Sequence, residues 1–161
     1  MTQMKSNIGI SDKDRKGVAA LLNTLLSDEY ILYTKTRKYH WNVVGPQFHD
    51  LHTFFESQYK ELDGIVDEVA ERARSLGEIS FGTLAEFLKQ TRLKEHPGKN
   101  PDSRGMISDL LADHEATIRH LRIDLETCAN TYQDAGTCDF LTGLMEKHEK
   151  MAWMLRSLDR H

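Results

Sequence analysis

Five side chains have the types and the spacing of a metal-ion site: His40, His52, Glu56, Asp67 and Glu71. They lie in HWNVVGPQFHDLHTFFESQYKELDGIVDEVAERARSLG, residues 40–77, which holds three of the chain's eight histidines. The successive spacings are 12, 4, 11 and 4. Residues four apart share a face of an α-helix, so His52 with Glu56, and Asp67 with Glu71, each form a pair that can grip one cation. Eleven residues close about three turns. At about 100° per residue the four helical ligands fall at roughly 0°, 40°, 60° and 100°, one narrow polar stripe. Imidazole nitrogen mixed with carboxylate oxygen suits iron, manganese or zinc better than calcium or magnesium. No thiolate joins the set, which weakens the case for structural zinc. Carboxylate-rich sites with open positions are where ferrous iron meets an oxidant. The plainer alternative is a solvated helix face.

The helix that must carry the stripe also has an apolar face: Leu51, Phe54, Phe55, Leu62, Ile65, Val66, Val69 and Ala73. On the same wheel that face centres near −90°, roughly 140° from the polar stripe. A site inside the chain's own bundle would point with the apolar face, and this one does not. The two pairs are also too distant to share an ion, since eleven residues rise roughly 16 Å. A two-fold axis answers both difficulties. An antiparallel copy of the helix brings Asp67 and Glu71 of one subunit to His52 and Glu56 of the other, and isologous pairing is the commonest homo-oligomer contact. The spacing therefore predicts two equivalent sites between two subunits.

HWNVVGPQFHDLH, then FESQY, then DEVAERARSLG resemble the signature of the Dps family, the DNA-binding proteins from starved cells, or mini-ferritins. DAGTCDFLTGLMEKHEKMAWMLRSL resembles that family's last helix, so the resemblance spans nearly the whole chain. It implies that His40, His52 and Glu56 come from one subunit and Asp67 and Glu71 from its two-fold mate. The family often has Asp where this chain has Glu56; the extra methylene keeps the charge and changes the reach.

The rest of the sequence agrees with one all-α domain of 161 residues. A short flexible arm is expected over residues 1–10 and a single ferritin-like four-helix bundle over 11–161. Ser11 with Asp14 resembles a capping box and starts a first helix running to about Tyr39, with His40 near its end. Gly45 and Pro46 open the second helix, which Gly77 ends. In the connection, Thr83 with Glu86 caps a short helix whose apolar face is Leu84, Phe87 and Leu88. In the resembling family this short helix lies at the dimer contact. HPGKNP, residues 96–101, reads as a loop. A third long helix carries Met106, Ile107, Leu110, Leu111, Ile118, Leu121 and Leu125. A turn near Asp134–Gly136 leads to a fourth with Phe140, Leu141, Leu144, Met145, Met151, Ala152, Leu155 and Leu158. The expected fold is a four-helix bundle with one long crossover holding a short extra helix.

The two Glu-x-x-His motifs of an ordinary intra-bundle di-iron site are absent, which argues for the intersubunit site and against an ordinary ferritin. His114, His120 and His148 read as hydrogen-bonded or surface histidines. Trp41 and Trp153 are expected first in the core, and Trp41, beside His40, is also the candidate sacrificial electron donor. Cys128 and Cys138 lack zinc or CxxC spacing and read as free thiols. No apolar run reaches a membrane span and MTQMKSN has no signal core, so a cytoplasmic or nucleoid-associated location is expected.

Resemblance further implies a homo-dodecamer built on two-fold dimers. Its substrates would be ferrous iron and hydrogen peroxide, or dioxygen, and its product ferric oxide held in the cavity, which protects DNA from oxidative damage. Zinc is the substitute occupant of the site. Asp134 and Asp139 match the family's acidic pore region, though they are also an ordinary turn residue and an ordinary helix-start residue. A net charge of −4 and a single basic residue, Lys5, in the first ten argue for weak or absent DNA binding. The second reading is a nucleoid-compacting cage with a structural or zinc-occupied site.

Overall fold

A computed structural model describes residues 6–159. The helices are α1 (Asp12–Asn42), α2 (Phe48–Ser75), α3 (Leu84–Gln90), α4 (Ser103–Thr127) and α5 (Ala135–Leu158), with a π-helical turn, Cys128–Tyr132, after α4. The described residues contain no strand. Residues 1–5 of the expected arm, and Arg160 and His161, lie outside the described residues; residues 6–10 carry no helix.

Local chemistry sets most of the boundaries. The Ser11 hydroxyl accepts from the Asp14 N–H at 3.1 Å and donates to the Asp14 carboxylate at 2.6 Å. α1 runs three residues past Tyr39 and so takes in His40, Trp41 and Asn42. α2 ends in a left-handed Gly77, φ 86°. There the Gly77 N–H reaches Arg74 O at 2.9 Å and the Glu78 N–H reaches Ala73 O at 3.2 Å. This is the two-bond Schellman closure, which a side chain at Gly77 would strain. Thr83 and Glu86 form the expected reciprocal capping box at α3.

α1 packs along α2, and α4 along α5. Short connections make each pair antiparallel, and the crossover 76–102 joins the pairs. The core is Leu22, Leu25, Leu32, Phe55, Leu62, Ile65, Leu110, Leu121 and Leu155 with their neighbours. Burying each such side chain contributes about 1.5–3 kcal/mol.

Polar side chains of α1 tie down the crossover. Asn23 donates to Ile79 O at 3.0 Å and accepts from the Phe81 N–H at 2.8 Å. The Asp28 carboxylate accepts from the Arg92 N–H at 2.6 Å, and Lys35 donates to Lys94 O at 2.9 Å. Of the expected α3 face only Phe87 is buried, stacked on Tyr30 at 4.4 Å. Leu84 and Leu88 stay exposed because a two-turn helix presents one side chain to α1.

Candidate metal centre

The α1–α2 hairpin brings His40 and His52 face to face. Their rings stack with centroids 3.8 Å apart. His40 Nδ1 lies 2.8 Å from the His52 carbonyl, and His52 Nδ1 lies 2.8 Å from the His40 carbonyl. A carbonyl only accepts, so both Nδ1 atoms carry a proton, and in the neutral ring the lone pair is then on Nε2. That is the tautomer in which a histidine ligates through Nε2, with the second nitrogen anchored to backbone. The His40 carbonyl belongs to the last turn of α1, where helix carbonyls lack intrahelical partners, so the helix end itself orients His52.

Aromatic neighbours hold the pair. Tyr59 stands edge-on to His40 at 5.2 Å, and Phe48 stacks on His52 at 5.1 Å. Glu56, one turn after His52, is ion-paired with Lys60 at 2.5 Å. The Lys60 hydrogen bond and charge hold the Glu56 carboxyl below the ordinary carboxylate range, with smaller pulls from His40 and His52. Asp67 and Glu71 sit further along α2, both exposed, roughly 16 Å beyond Glu56.

One chain thus assembles His40, His52 and Glu56 and leaves Asp67 and Glu71 apart. Among the described residues no group of three or more His, Cys, Asp or Glu side chains is placed to hold one ion within a single chain. The donor types fit a ferrous ion: two imidazoles and a carboxylate on one side, and two carboxylates, Asp67 and Glu71, exposed on the other.

The other sequence candidates separate. Asp134 is 3% exposed. It caps α5 through the Thr137 N–H at 3.0 Å and pairs with Arg72 at 3.3 Å. Asp139 is exposed. Trp41 and Trp153, expected in the core, are 63% and 59% exposed in the chain. The Trp41 ring lies 4.9 Å from the Arg37 guanidinium, which also contacts Tyr33 and Tyr59. Both cysteines are free, and burial pushes the Cys128 thiol up to about 12. Sequence reasoning missed Tyr59 and Lys60, although seven residues after His52 and four after Glu56 put them on the same helix face.

A profile for ferritin-like domains matches residues 19–161. The chain is 51% identical over 151 residues to an uncharacterized low temperature-induced protein of a Nostoc species, covering 94% of this chain and 84% of that one. It is 35% identical over 142 residues to DNA protection during starvation protein 2 of Bacillus anthracis, covering 88% and 96%. A solved Dps protein of Vibrio cholerae superposes with a TM-score of 0.90 at 30% identity, over 99% of this chain and 100% of that one. That structure is described as a member of a broad superfamily of ferritin-like diiron-carboxylate proteins.

Proposed function

Because the chain belongs to the Dps family of ferritin-like proteins, we propose that it is a ferroxidase whose sites form between two subunits of a dodecameric, iron-storing cage. The observation that carries this reading is the reciprocal His40–His52 pair, with both Nε2 lone pairs left without a protein partner. His40, His52 and Glu56 receive ferrous iron as substrate from one side, and Asp67 and Glu71 of the partner subunit close the site. The backbone-anchored Nδ1–H groups orient both rings so that each would ligate through Nε2. Glu56 exchanges Lys60 for iron.

The chemistry is a paired oxidation. Two ferrous ions lose one electron each, the O–O bond of one hydrogen peroxide breaks, and both electrons go to its oxygens. With water, the products are ferric oxyhydroxide and protons. Removing two electrons together avoids releasing hydroxyl radical. The acidic pore role passes to Asp139, since Asp134 is committed to Thr137 and Arg72. Trp41, exposed beside Arg37, remains the candidate one-electron donor. No described helix is long and apolar enough to cross a membrane; we assign the cage to the cytoplasm.

The test is anaerobic ferrous loading followed by one peroxide per two irons, reading ferric absorbance in the near ultraviolet. Wild type should oxidise iron rapidly, and His52→Ala/Asp67→Ala should fall to the buffer rate with assembly intact by size. Oxidation at the buffer rate in both proteins rejects the ferroxidase reading, and zinc occupancy with a plasmid gel-shift then tests the cage as a DNA-compacting protein.

A further inference from the structure

Three titratable side chains in the bundle interior take no part in the α1–α2 site. Glu29 on α1, His114 on α4 and His148 on α5 are each 0% exposed. His148 Nε2 lies 2.8 Å from Glu29 Oε1, and His148 Nδ1 lies 3.0 Å from His114 Nδ1. The two outer atoms of this chain, Glu29 Oε2 and His114 Nε2, are buried and have no hydrogen-bond partner.

Each contact needs one proton between two heavy atoms. The smallest filling is two protons. His148 Nε2–H then donates to the Glu29 carboxylate, and His114 Nδ1–H donates to His148 Nδ1. This state carries one negative charge and leaves a bare lone pair at His114 Nε2. A third proton at His114 Nε2 lets His114 hand its Nδ1 proton to His148. His148 becomes an imidazolium paired with Glu29, or passes its Nε2 proton on to the carboxylate. Both distributions are net neutral. An uncompensated charge in a dry core costs far more than a neutral or paired one.

No side chain nearby supplies the compensation. On α1, Asp28 is taken by Arg92 and Lys35 by Asp113. No ion pair or hydrogen bond links another charged side chain of the described residues to Glu29, His114 or His148. α2 offers the buried, uncharged Gln58, whose amide donates to the Met151 carbonyl at 3.3 Å. A metal ion is no substitute, because no three ligands converge here.

We infer that Glu29, His114 and His148 form a proton-binding site that locks α1, α4 and α5 together, holding one proton more than a carboxylate and two neutral histidines hold in water. A fourth proton is refused: burial, then the adjacent His148, keeps the proton affinity of His114 well below that of an ordinary histidine.

Above the ordinary histidine value of about 6.5, the unfolded chain holds two protons on these groups and the folded chain three. Stability therefore falls as pH rises through the range where the site releases its proton. The slope is at most tenfold in the folding equilibrium per pH unit, about 1.4 kcal/mol. Below about 6.5 the unfolded histidines charge and the folded site does not follow, so stability also falls on acidification. The lock holds best near neutrality.

The test compares the assembled wild type with Glu29→Gln by urea midpoint from pH 6.5 to 9, and by difference proton titration. The amide that replaces the carboxylate would still accept from His148 Nε2–H but carries no charge to neutralise. Wild type should lose stability with rising pH more steeply than Glu29→Gln, by up to tenfold per unit, and release one proton per chain that the variant does not. The triple replacement Glu29→Leu/His114→Leu/His148→Leu is the second comparison, since apolar replacement of a buried polar triad commonly preserves folding. It should show the same flattened profile. Parallel profiles in wild type and either variant, or no extra proton released, overturn the proposal.

Discussion

The bundle interior and the α1–α2 edge each bring together two histidines and a glutamate, and they use the nitrogens in opposite ways. Inside, His148 gives both ring nitrogens to side chains, one to Glu29 and one to His114. At the edge, His40 and His52 give one nitrogen each to backbone and keep the other. Inside, the glutamate touches the ring; at the edge, Glu56 is held one turn away by Lys60. The residue types are the same, yet one cluster pairs its side chains with one another and the other leaves one nitrogen of each ring open. Open nitrogens beside a carboxylate suit the proposed cation site. Side chains paired in the core make a structural tie. Stability should therefore depend on interior polar contacts, and iron chemistry on edge contacts, with little exchange between them.

The largest effect that would break this division comes from Arg92. Its guanidinium spans Asp28 at 2.7 Å and Asp124 at 3.0 Å, joining the crossover to α1 and α4. Arg92→Met leaves the fully buried Asp28 without a counter-charge. Asp28 keeps two hydrogen bonds, from the Thr91 hydroxyl and the backbone N–H of residue 92. The loss should sit near the low end of the range for an orphaned buried charge, about 3 kcal/mol in denaturant unfolding. Iron oxidation per assembled cage should be unchanged. A variant of wild-type stability with impaired oxidation would show that the two regions are not separable.

What could be read from sequence follows the same division between local and long-range. The stripe His52, Glu56, Asp67 and Glu71 was legible because one helix fixes their phases, and Ser11, Gly77 and the Thr83–Glu86 box were legible because caps act within four residues. His40 facing His52 was partly legible: both were candidates, but their reciprocal carbonyl contacts need the α1–α2 hairpin to form. Asp134 looked like a turn or pore acid, because nothing local announces Arg72, sixty-two residues earlier. His114 and His148 read as hydrogen-bonded or surface residues, and their joining across thirty-four residues, with Glu29 behind them, was invisible. Trp41 and Trp153 were assigned to the core by size alone, and both are exposed on the single chain. The π-helical turn, closed by the Gln133 N–H to Cys128 O, left no sequence signal.

A fourfold effect sharpens the edge side of the comparison. In the proposed intersubunit site, subunits carrying His52→Ala lack the histidine half, and subunits carrying Asp67→Ala lack the acidic half. Neither alone should oxidise iron above the buffer rate. Random co-assembly makes half of the two-fold pairs mixed, and each mixed pair rebuilds one of its two sites. About a quarter of wild-type activity should return. A mixture as inactive as its components would place the five ligands elsewhere than across a two-fold contact.

The smallest effect tests how Glu56 is held in reserve. In the proposed site Lys60 competes with iron for that carboxylate, and an exposed i,i+4 pair is a weak competitor. Lys60→Met should tighten zinc or ferrous binding at pH 7 by roughly twofold. The advantage fades in acid. In wild type, Lys60 keeps the Glu56 carboxyl below its ordinary value, so the group stays ionised to lower pH. Without Lys60 the carboxyl moves back up, and protons displace the metal from it sooner as pH falls. Histidine protonation weakens both proteins alike, so the ratio of variant to wild-type affinity isolates Glu56. That ratio should exceed one at pH 7 and decline towards pH 5, measured by titration calorimetry on the assembled cage. A ratio that does not change with pH would mean that Lys60 only shields the edge and that Glu56 is not a ligand, leaving two histidines and the partner's acids to hold the iron.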